Sequence, residues 1–249
     1  MTESSSEPRP AAIQHKISAG QFAAALQDID LLLAKDASDS DALYMAAGCY
    51  RYLSRFDEAQ ACLATLKSLS PDPGRVYQEQ GHLELARQRP QQALAAFANA
   101  CQLNPALVAS WRCQAQILET MKRPQEARQA QAQVQRLQGL PKVVVAVTDL
   151  LAQRKLLKAE SLCRKFLRAH PTHVEAMRLL ADIAVQFGEL EDAEYLLASA
   201  AEFEPRNLQV QIDLVGVLRK RQKIARALQV AAQLHREQPD NPQLRSLYA

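Results

Sequence analysis

Alanine recurs along this chain at Ala25, Ala59, Ala93, Ala127, Ala159, Ala193 and Ala227, in steps of 34 residues with one step of 32. Two further tracks run in the same register. Twelve residues before each anchor lie Ile13, Ala47, Gly81, Ala115, Val147, Ala181 and Val215. Twelve residues after each lie Ala37, Pro71, Pro105, Gly139, Pro171, Pro205 and Pro239. A period of this length marks stacked supersecondary units, each too thin to bury its own apolar face.

The chemistry inside one unit sets its shape. "ALYMAAGCYRYLS" carries apolar residues at helical spacing, and "RFDEAQACLATLKSLSP" does so again after a short polar turn. Small residues on the two helices permit a close backbone crossing. Phe97, Leu63 and Leu197 fill the space beside them. The proline ends the second helix, because it has no N–H to donate and pushes the preceding residue out of the α region. Only 7 glycines and 5% aromatic residues argue against an all-β sandwich. The expected fold is therefore all-α: a right-handed solenoid of seven helix pairs, with helices of about 11 to 15 residues. "NPQLRSLYA" reads as a leftover first helix of an eighth unit, whose apolar Leu244, Leu247 and Tyr248 would form an uncapped docking edge. The chain stops in mid-pattern there, which reads as a fragment of something longer.

"WRCQAQIL" from Trp111, "YQEQGHLE" from Tyr77 and "AAFANACQLNP" resemble the tetratricopeptide repeat (TPR) pattern W-x₂-L-G-x₂-Y…A-x₃-F…P. A finer resemblance covers Leu156–Ala249. "AESLCRKFLRAHPTHVEAMRLLADIAVQFGELEDAEYLLASAAEFEPRN", "VLRKRQKIARAL" and "PDNPQLRSLYA" are similar to the amino-terminal repeat region of bacterial TPR–sulfotransferase fusion proteins. That resemblance implies an array preceding a catalytic domain that transfers sulfate from a nucleotide donor. No catalytic residue transfers to this chain, because its scattered glycines form no phosphate-cradling loop.

The organisation follows the register: residues 1–10 form a disordered tail, 11–138 carry units 1–4, and 139–249 carry units 5–7 plus the first helix of an incomplete eighth. The 32-residue step at "QRLQGLPKVVVAV" marks a shorter or reoriented junction. No signal peptide or membrane-length apolar run is present, and five cysteines without CxxC spacing fit reduced thiols in a cytoplasmic protein.

In arrays of this class the first helices line a concave groove that takes the ligand. Helical spacing turns Tyr44, Arg51, Tyr52, Gln78, His82, Arg112, Gln116, Arg178, Asp182 and Arg219 toward that groove. The mixture suits a protein or peptide partner held by side-chain hydrogen bonds and tyrosine contacts. No Lys and Asn pair occupies adjacent first helices, so capture of a chaperone's carboxylate tail is disfavoured. A net charge of +3 is a weak footprint for nucleic acid, which leaves RNA-binding helical repeats as the lesser alternative. "RKRQKIAR", Arg219–Arg226, falls at a turn and reads as solvated. His170 and His173 in "HPTH" are too few for a metal site. The expectation is a non-catalytic scaffold without cofactor or metal.

Overall fold

The computed structural model describes residues 10–69 and 73–237. Among these residues every regular element is an α-helix, and the helices come in seven pairs. They are α1 (Pro10–Ser18) with α2 (Phe22–Lys35), α3 (Ser40–Tyr52) with α4 (Phe56–Leu69), and α5 (Pro73–Ala86) with α6 (Pro90–Leu103). Then follow α7 (Val108–Thr120) with α8 (Pro124–Gly139), α9 (Lys142–Ala152) with α10 (Leu156–Ala169), α11 (Val174–Phe187) with α12 (Leu190–Phe203), and α13 (Leu208–Lys220) with α14 (Ile224–Glu237). The expected eighth-unit helix, with Leu244, Leu247 and Tyr248, lies outside the described residues, as does nearly all of the amino-terminal tail. Most helices hold 11 to 14 residues, but α1 has 9 and α8 has 16.

All seven anchor alanines and all seven residues twelve positions before them are buried. In the pairs with Ala47, Gly81, Ala115 and Ala181 both residues are small, whereas Ile13, Val147 and Val215 put a branched side chain opposite the anchor alanine. The tightest crossing joins α5 to α6: a Cβ at position 81 would meet the Phe97 ring at 2.7 Å, so any larger residue there forces that ring to shift. Pro73, Pro90 and Pro124 open their helices at the first turn, where the missing N–H costs nothing.

The turn inside every pair is the same device. Gly20, Ser54, Gln88, Lys122, Arg154, Gly188 and Gln222 all have positive φ, each five residues before its anchor. The next residue's N–H reaches back to a carbonyl five positions earlier, as Arg55 does to Tyr50, Arg89 to Glu84 and Lys223 to Leu218. This left-handed cap satisfies carbonyls that the ending helix leaves open.

The 32-residue step has a local cause. Asn104–Leu107, His170–His173 and Glu204–Asn207 are four-residue connections, whereas only Leu140 and Pro141 join α8 to α9. The helix runs through Gly139 instead of stopping there.

Contacts sort the chain into two compact units. One comprises the residues up to Gly139 with Ala152–Arg154, the other Leu140–Leu151 and the residues from Lys155 onward. Neither unit has a single central core. In the first, Ile13, Ala25 and Ala46 form one cluster and Leu43, Leu63 and Val76 the next. In the second, Val144, Cys163 and Ile183 form one cluster, and Ala193, Leu197 and Leu218 another. Within the first unit α3 also touches α5, and within the second α11 touches α13. First helices of these successive pairs thus lie side by side.

Candidate peptide-binding surface

Three of the residues expected to face a ligand instead tie first helices together. Arg51 of α3 donates to Glu79 of α5 at 2.6 Å, and both side chains are largely buried. Ser110 of α7 donates to Gln78 of α5 at 3.0 Å. Arg178 of α11 donates to Asp213 of α13 at 3.1 Å while its other nitrogens hold Glu175. These bonds cross from one repeat to the next, so they fix the spacing of the surface.

His82 is half-buried and sets its ring edge-on to Phe97 at 5.1 Å. Burial, with the nearby Arg51 charge, holds its pKa below the usual imidazole value despite the opposing Glu79 carboxylate. Tyr44 is half-buried against the Leu43 cluster. Tyr52 is exposed, stacks on Phe22 at 4.4 Å, and lies under the Arg51 guanidinium at 4.3 Å. Arg112, Gln116, Asp182 and Arg219 are exposed, and Asp182 accepts from Gln186 one turn on. In the first unit the first helices thus combine fixed rivets (Arg51, Gln78) with the outward Arg112 and Gln116, and in the second Arg178 is fixed while Asp182 and Arg219 face outward.

The basic turn at Arg219–Arg226 is more than solvated. Arg221, Lys223 and Arg226 all close on Glu194 of α12, at 2.6, 2.9 and 2.8 Å, and Glu194 is buried. Desolvation would raise that carboxyl's pKa, but Lys223 and Arg221 more than offset it and hold it below the usual range. Arg221 also reaches Glu191 at 2.6 Å. Four repeats earlier, Arg87 makes the equivalent bond to Asp57 at 3.0 Å. The spacing of one repeat between cation and acid was the available signal.

His170 and His173 both pack on Phe166, and the His173 Nδ1 accepts the Ala176 N–H as a helix cap. Among the described residues no group of three potential ligands could hold a metal ion. Burial pushes the Cys49 and Cys163 thiols up to about 11 and Cys101 up to about 12. A thiol so shifted is protonated at neutral pH and makes a poor nucleophile. No helix among the described residues is long and apolar enough to cross a membrane.

Models of the tetratricopeptide repeat match residues 16–81 and 184–249, and others match 79–139 and 145–207. No curated protein matches the sequence. Among solved structures, the Thermus thermophilus TPR protein TTC0263 is 18% identical, with a TM-score of 0.42 over 84% of this chain and 96% of its own. YrrB, described as a TPR protein with an unusual peptide-binding site, is 17% identical with a TM-score of 0.38, over 80% and 87% of the two chains. The Naa15/Naa10 assembly bound to HypK-THB is 17% identical with a TM-score of 0.45, over 95% of this chain and 38% of that one.

Proposed function

Because this chain belongs to the tetratricopeptide repeat family, whose repeats build protein-interaction scaffolds, we propose that it is a non-catalytic scaffold holding a protein or peptide partner along its first helices. One observation supports this most. Arg51, Gln78 and Arg178 spend their polar groups bracing first helix to first helix. Arg112, Gln116, Asp182 and Arg219 stay exposed on those helices. Within each unit, a braced surface with outward hydrogen-bonding groups is preorganised, which lowers the entropy cost of binding.

The test is capture of a partner from native lysate by the intact chain and by Arg112→Ala and Tyr44→Ala chains. The reading expects both variants to lose the partner while staying folded, with the melting temperature unmoved in Arg112→Ala and lowered in Tyr44→Ala, whose ring packs on the Leu43 cluster. Retention of the partner by both would overturn it. The likeness of Leu156–Ala249 to the repeat arm of TPR–sulfotransferase fusions supports a more specific version, in which the captured protein is the one to be sulfated. An in-frame glycine-bearing phosphate loop downstream of codon 249 is the sign of that version.

A further inference from the structure

The internal repeat allows one junction of the second unit to be compared with the next. Between α12 and the α13–α14 turn, buried Glu194 is surrounded by Arg221, Lys223 and Arg226. Move back 34 residues and Glu194 becomes Glu160, while the three cations become Phe187, Glu189 and Asp192. The acid is kept and its partners are inverted or removed.

The space they leave is real. A cleft of about 220 Å³ lies among α10, α11 and α12, with Leu180, Ile183 and Leu196 as its apolar floor. Its rim carries Glu160, Glu189 and Asp192, and Arg164 is the one cation among the lining residues. Arg164 is held by Glu160 at 2.7 Å. Two aromatic rings flank the opening, and both are outward: Phe187 is 39% exposed and Tyr195 73%. Acids at a helix N-terminus suit the dipole on their own account, but that does not explain an apolar floor under exposed aromatic rings.

We propose that this cleft docks an arginine side chain of a protein partner. The aliphatic stem of arginine covers apolar floor while its head stays polar. The guanidinium can meet carboxylates in bidentate fashion and stack on aromatic faces. The molecule itself supplies the precedent, since its own cations fill the equivalent place on Glu194. The cleft is formed by α10, the end of α11 and the start of α12, and its residues are not those of the first-helix surface proposed above. The two proposals fail independently.

The experiment titrates the ¹⁵N-labelled full chain with the blocked tripeptide Ac-Gly-Arg-Gly-NH₂, with its citrulline counterpart as an uncharged isostere. Saturable shifts centred on Phe187, Glu189, Asp192 and Tyr195 are expected from the arginine peptide, and at least about tenfold weaker ones from citrulline. The triple change F187R/E189K/D192R writes the next junction's cations into this one. It should abolish the shifts while helix content and melting temperature hold. Should that variant fail to fold, E160Q gives the second reading, with severalfold weaker binding expected. Absence of shifts into the tens of millimolar would sink the proposal, and so would shifts untouched by either variant. Self-association that these changes abolish would assign the cleft to another copy's Arg219–Arg226 turn and equally overturn it.

Discussion

The Phe97 ring lies where a methyl group on residue 81 would have to be, at 2.7 to 2.8 Å from three of its atoms. Glycine at 81 and phenylalanine at 97 are therefore one packing decision. Gly81→Ala should gain about 1 kcal/mol of helix propensity yet lose more to overpacking, for a net cost of about 1–2 kcal/mol. Phe97→Leu in the same chain should recover part of that loss. Gly216 in α13 is the control, since a Cβ there meets nothing within 4 Å. Gly216→Ala should stabilise by up to about 1 kcal/mol. Urea midpoints of the four chains decide it.

Five of the seven left-handed turn positions carry residues with side chains: Ser54, Gln88, Lys122, Arg154 and Gln222. An L-residue there is strained by about 1–2 kcal/mol, part of which glycine would return to the unfolded chain as entropy. Lys122→Gly and Gln222→Gly should each stabilise by about 0.5–1 kcal/mol. Gly188→Ala should destabilise by about 1 kcal/mol. Melting temperatures moving the other way would refute the common turn.

Much of this was legible from the register alone. The anchor alanines, their small partners and the helix pairs follow from which side chains can share one crossing. What spacing could not give is the rotation between successive first helices. That angle decides that Arg51 meets Glu79 and Arg178 meets Asp213 instead of pointing outward like Arg112. The basic turn escapes a local reading for a related reason: its acid, Glu194, lies one repeat back, 27 to 32 residues away.

Acidification should act through two groups of opposite kind. His82 has a lowered pKa, so the unfolded chain takes up its proton first. Its contribution is intact above the ordinary value of 6.5 and erodes as the pH falls toward the folded pKa. Glu194 also has a lowered pKa, so its contribution is held above 4.5 and lost as the pH falls through the folded value. Stability measured from about pH 7.5 downward should fall less steeply near neutrality in His82→Gln and less steeply in the acid range in Glu194→Gln. Slopes unchanged in both variants would dismiss these assignments.

The bonds Arg87–Asp57 and Arg221–Glu191 occupy equivalent places and both acids are exposed, but Arg221 also holds the buried Glu194. Asp57 is fully exposed, so Asp57→Asn should leave the urea midpoint almost unmoved. Glu194→Ala leaves three cations facing a buried gap and should lower the midpoint far more. Equal losses in the two variants would show that burial is not what separates them.

The claim that first helices carry the partner is tested most directly by photo-crosslinking in the cells that make the protein. A benzophenone side chain replaces Gln116 on a first helix in one chain and Gln129 on the exposed face of a second helix in another. A discrete protein adduct from position 116 and none from 129 is the predicted result. Adducts from position 129 alone, or equally from both, would contradict it.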